Sequence, residues 1–232
     1  MIQPILINIA KIGYVLLFLN IAFYFLEFKK KIEKPYKIFS LYLLSLSLIQ
    51  MGAEYYLKEG GKNLFLTHYY FIIQSLFLSV FYYFIIQSQK IKKLIKTVVL
   101  ITLISLTIQY YLYPKLYYLF NVYEIFICII PIVIYALSHL FQTLGNPNKK
   151  YIYITSGVLI YFLPHALVFS SGNLMPDLPA NINQILWLLN AILYVFFLIL
   201  IFVEWYKNFR KKDTVVIPTE RQSSDKEPHV SK

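Results

Sequence analysis

Residues 185–206 read ILWLLNAILYVFFLILIFVEWY, an apolar run without a lysine or arginine. A helix needs about 20 such residues to cross the hydrocarbon core of a bilayer. Six further stretches can be drawn on the same rule, at 5–28, 38–57, 64–87, 94–113, 116–144 and 151–171. The reading is an all-α, polytopic bundle of seven transmembrane helices over residues 1–206, followed by a basic, then polar, disordered tail at 207–232. The fourth and fifth spans are separated only by Pro114 and Lys115.

Composition supports this class. Hydrophobic residues make up 59% of the 232 and charged residues 14%. Soluble domains carry about 25% charged residues, so too few remain here to wet a globular surface. The net charge of +11 would suggest nucleic acid in a soluble chain. Here the basic residues sit in short runs between apolar stretches, which fits loops facing anionic lipid headgroups, and nucleic-acid binding is not expected. The single Cys128 allows neither an intrachain disulfide nor a cysteine-based zinc site. The first span lacks a basic leader and a small-residue cleavage site and is too long for a signal peptide, so it is expected to remain in the mature protein.

Loop charge gives an orientation. Counting alternate connections and the tail, 18 Lys and Arg fall on one side of the membrane and three (Lys58, Lys62, Lys115) on the other. The positive-inside rule puts the basic side in the cytoplasm, hence the N-terminus outside and the C-terminus inside a bacterial inner membrane. The outer connection at 173–184 is the one long enough to form a lid. A weak internal echo relates spans one to three with spans five to seven. In it, Lys34-Pro35-Tyr36-Lys37 stands against Pro147-Asn148-Lys149-Lys150.

Polar residues recur at helical spacing inside the spans. Ser40, Ser47, Gln50 and Glu54 share one face, as do His68, Ser75, Ser79 and Tyr82. Thr102, Ser105 and Gln109 share another, then Asn121, Glu124, Cys128 and Pro131. Tyr161 pairs with His165, and Trp187 aligns with Asn190 and Tyr194. Such faces turn away from lipid. Ser, Thr, Asn and Gln often serve only as interhelical bonds. Ionisable groups at bilayer depth cost about 2.5–3.5 kcal/mol each and usually mark function. At about 1.5 Å per residue, Glu124 is expected roughly 12 Å below the outer surface. Glu54, His68, His165 and Lys11 fall in the same outer half. The candidate ligand or ion pocket is therefore Glu124, His165, His68 and Glu54, with Asn190 and Gln109. His139 is expected to face headgroups at the inner end.

The chemistry these residues imply stays open. Two histidines and Glu124 are the minimum for a zinc hydrolase, yet no HExxH is present. A retinal protein would need a lysine in the last span. Three-plus-one-plus-three topology is similar to that of small sugar and vitamin carriers, with Pro131 and Pro164 as hinges in the second half. The family's Pro-Gln pair is absent. Finally, NLFLTHY at 63–69, Tyr123-Glu124, SGVLIYF at 156–162 and Leu186-Trp187 resemble a group of small bacterial integral membrane proteins with six or seven helices, some found beside sensor kinases. That resemblance implies no activity of its own. The polar outer layer, with no catalytic motif and no output domain in the sequence, leads to the expectation of a receptor-like or accessory subunit without a cofactor, set in the lipid bilayer and acting through a membrane or cytoplasmic protein partner.

Overall fold

The computed structural model describes residues 2–29, 32–61, 63–145 and 150–210. Seven long helices appear among them, and no strand: α1 (Ile2–Leu26), α2 (Lys34–Lys58), α3 (Phe65–Ile85), α4 (Gln89–Leu112), α5 (Val122–Leu144), α6 (Ile152–Ser170) and α7 (Ala180–Trp205). Six of them, all but α4, are long and apolar enough to cross a membrane. α4 begins with Lys90, Lys92, Lys93 and Lys96 before its apolar turns. Large apolar side chains such as Ile12, Leu48, Ile104, Phe141 and Leu163 lie exposed on the outside of the bundle. That is the surface a multi-pass membrane protein presents to lipid.

Three boundaries differ from expectation. The fifth span does not begin at residue 116. Pro114–Tyr118 forms a short 3-10 turn, and Asn121 caps α5 by accepting a hydrogen bond from the Glu124 amide at 3.3 Å. A side-chain oxygen at this position satisfies a first-turn N–H that the helix cannot. Glu124 therefore sits in the first turn of α5, not eight residues inside it. The lid expected at 173–184 is largely consumed: Met175–Asp177 makes a 3-10 turn, Met175 is buried, and α7 starts at Ala180 behind Pro179. Beyond α7, Tyr206–Arg210 continues as a π-helical turn. The rest of the expected tail, and Pro147, Asn148 and Lys149 of the internal echo, lie outside the described residues.

Helix order follows from packing. Six helices close a ring in the order α1, α2, α3, α5, α6, α7, with α7 returning to α1, while α4 packs on the outside against α3 and α5. On α1 and α7, residue numbers rise together. Gly13 lies beside Tyr194, the Asn20 amide donates to the Leu198 carbonyl at 3.0 Å, and the Tyr24 hydroxyl donates to the Ile201 carbonyl at 3.2 Å. These helices are parallel. So are α3 and α5, where His68 meets Glu124 and Tyr82 packs on Tyr135. The other ring neighbours run antiparallel, as Tyr42 with Gln74 and His139 with Thr155 show. The ring is thus two three-helix units pointing the same way, α1–α3 and α5–α7, with α4 returning the chain between them.

The two ends of the bundle differ. The end bearing the N-terminus, here the N-terminal end, carries the α2–α3, α4–α5 and α6–α7 connections. The opposite, lysine-rich end is packed with buried aromatics, among them Tyr24, Tyr36, Phe39, Phe81 and Tyr82. Close approach of α6 to α7 requires glycine at one point. A Cβ on Gly157 would stand 2.7 Å from the Phe197 ring, which stacks on Tyr161.

Candidate functional site

Much of the polar faces inferred from periodicity turns inward, but it gathers into separate clusters. Near the N-terminal end, α1, α2, α3, α6 and α7 enclose a cavity of about 270 Å³. Its walls are Tyr14 from α1, Gln50 from α2, Tyr70 from α3, Tyr161, His165 and Phe169 from α6, and Asn190 and Tyr194 from α7. Both three-helix units contribute. The Gln50 amide donates to the Tyr194 hydroxyl at 3.1 Å. The Nδ1 of His165 lies 2.9 Å from the Tyr161 hydroxyl and 3.0 Å from Asn190 Oδ1. Among the described residues, Gln50 Oε1 and His165 Nε2 are buried without a hydrogen-bond partner. Glu54 is exposed and interacts with Tyr14, a wall residue, so it stands at the rim rather than inside.

Glu124, His68 and Gln109 lie elsewhere, on the far side of α3 and under α4. Glu124 Oε2 is 2.9 Å from His68 Nδ1, and the Tyr110 hydroxyl of α4 bonds to the same carboxylate. The His68 Nε2 faces the Tyr117 carbonyl at 3.1 Å. Asn121 donates to the Tyr110 hydroxyl at 3.2 Å and to Gln109 Oε1 at 2.9 Å. Each His68 nitrogen therefore meets an oxygen, and the two side chains are buried as a pair rather than singly.

The expected single layer is thus two sites. His165 and Asn190 line the cavity, with Glu54 at its rim, whereas His68, Glu124 and Gln109 tie α4 to the ring. Lys11 joins neither and is exposed on α1. The minimum zinc set of two histidines and Glu124 does not assemble. Among the described residues no three of His, Cys, Asp and Glu come together as a metal site. No protein-family model matches the chain, and no match was found among curated proteins or solved structures.

A third cluster, at the lysine-rich end, centres on a residue the periodicity did not single out. Glu204 of α7 is fully buried. Its carboxylate accepts from the Tyr36 hydroxyl at 3.1 Å, the Tyr151 amide at 2.7 Å, the Tyr153 amide at 3.0 Å and Asn208 at 2.7 Å. It caps the start of α6 from a neighbouring helix, where free N–H groups and the helix dipole favour an anion. Tyr151, at φ +62°, takes a left-handed conformation that tyrosine rarely adopts. Its hydroxyl donates to Glu33 at 2.5 Å, and Lys150 pairs with the same carboxylate. The available signal was that Glu204 is the one acidic residue of α7. His139 belongs near this end, but it is buried, with Nδ1 3.0 Å from the Thr155 hydroxyl of α6. It faces a neighbouring helix rather than headgroups.

Proposed function

We propose that this chain is a seven-pass protein of a bacterial cytoplasmic membrane, N-terminus outside, that binds a small solute in the Tyr14–Gln50–His165–Asn190 cavity. In this reading α4 is the seventh pass and the lysine-rich end faces the cytoplasm. The protein is a receptor-like or accessory subunit: cavity occupancy reaches a partner through the basic inner surface that includes Lys90, Lys93 and Arg210. The observation that carries the reading is the cavity itself, walled by both three-helix units and lined by Gln50 and His165, each of which has a buried polar atom without a partner. Ligand sites in helical membrane proteins gather between helices in this way. The test is purification of the tagged chain from its native membrane in mild detergent, with mass spectrometry of co-purifying proteins. A stoichiometric partner that His165→Ala releases or retains differently supports the subunit. A partner-free chain sinks it.

A specific observation favours a second reading, a small-solute carrier. Two parallel three-helix units with an outlying linker helix form a repeat that can rock about a central site. Here the cavity lies at one end of their interface and buried aromatics pack the other. Uptake of solute into proteoliposomes by the chain alone would select this reading over the subunit.

A further inference from the structure

The walls of the cavity restrict what fills it. Tyrosines and the apolar Ile9, Ile49 and Phe169 surround a few polar groups, and among the described residues no lysine, arginine, aspartate or glutamate lines the cavity. The carboxylate at the rim, Glu54, is exposed. A charged occupant would leave water without an ionic partner, which is costly in a low-dielectric site. Meanwhile Gln50 Oε1 and His165 Nε2 are buried and unpaired, and buried polar atoms ordinarily have partners.

On the solute-binding reading above, we infer that the occupant is an uncharged, hydroxyl-rich ring of monosaccharide size. A hydroxyl both donates and accepts. A hydroxyl that reaches Gln50 or His165 can therefore complete either, whichever way the amide is turned and whichever imidazole nitrogen holds the proton. An ammonium only donates and a carboxylate only accepts, and each adds an unpaired charge. The C–H faces of such a ring suit the rings of Tyr70, Tyr161 and Tyr194.

Trp187 offers a reporter. It packs edge-to-face on Phe169, a wall residue, with ring centroids 5.4 Å apart. Tryptophan emission and thermal melting of the purified full chain would be followed with D-glucose, D-galactose and myo-inositol, and with ethanolamine and lactate. At least one polyol is expected to give a saturable change. Gln50→Ala and His165→Ala should weaken it tenfold or more, while Gly145→Ala at the far end leaves it unchanged. Should the alanine variants fail to melt cooperatively, Ala191→Leu, which fills the cavity without removing a polar group, should abolish the response. Saturable binding of ethanolamine or lactate in place of the polyols overturns the ligand class and leaves solute binding standing. Polyol binding indifferent to all three substitutions overturns the site. Silence of every probe on folded protein overturns the inference, while the co-purification test separately decides the subunit reading.

Discussion

His68 Nδ1 and Glu124 Oε2 meet at 2.9 Å with both side chains almost wholly buried. The contact joins α3 to α5, one of the two parallel junctions between the three-helix units, and Tyr110 brings α4 onto it. Each member relies on the other for one of its buried hydrogen bonds.

That dependence predicts a steep, non-additive mutational response. Removing one partner of a buried pair strands the other and typically costs about 3–5 kcal/mol. His68→Ala and Glu124→Ala should each destabilise the protein by that order. The double variant should cost no more than either single one, because no lone charge remains. Reversible unfolding in mixed micelles would measure the cycle. Additive losses would show that the two residues act independently.

Glu204 should behave differently from Glu33, although both carboxylates serve the start of α6. Glu204 is fully buried and accepts four hydrogen bonds. Glutamine there would point an amide N–H at a backbone donor. Glu204→Gln is expected to cost about 1.5–3 kcal/mol, the range for hydrogen bonds to charged groups. The Glu33 side chain is 50% exposed in its pair with Lys150, and exposed pairs contribute about 1 kcal/mol or less. Glu33→Gln should therefore shift the same unfolding midpoint much less than Glu204→Gln. Equal shifts would refute the capping role.

The apolar runs made the helices legible. Predicted spans overlap all seven, because about 20 apolar residues have few alternatives to a helix. The start of α5 was hidden because Leu116, Leu119 and Phe120 are as apolar as the span they precede. Only Pro114 and the capping Asn121 betray the break. Periodicity correctly turned His68, Glu124, His165 and Asn190 inward, but a face does not name its neighbour. With α4 outside the ring, α3 presents His68 to α4 and α5 and Tyr70 to the cavity. One expected polar layer thereby becomes two sites. Glu204 was overlooked because it lies in the last turn of its span, a depth at which carboxylates are ordinarily solvated.

Gly157 predicts a local packing limit. A Cβ there would lie 2.7 Å from the Phe197 ring and 3.4 Å from Leu200. Overpacking a closely fitted interior costs about 1–3 kcal/mol. Gly157→Ala should lower stability by that amount. Gly145→Ala should be nearly neutral, because none of the described residues lies within 4 Å of its added methyl. A thermal melt of both variants in one detergent settles the comparison, and a neutral Gly157→Ala would mean that α6 and α7 are further apart than described.

The proposed orientation makes the last prediction. Leu174, between α6 and α7, is 62% exposed at the N-terminal end, and Leu144, at the end of α5, is 77% exposed at the lysine-rich end. The one native thiol, Cys128, is buried and can be replaced by alanine to leave a clean background. A cysteine at Leu174 should react with a membrane-impermeant maleimide on intact cells. A cysteine at Leu144 should react only after the membrane is opened. The reverse pattern would place the lysines outside, against the charge asymmetry that sets topology, and would move the cavity mouth to the cytoplasmic side. Any external solute would then have to reach it by another route, and the receptor reading would fail while the bundle itself stood.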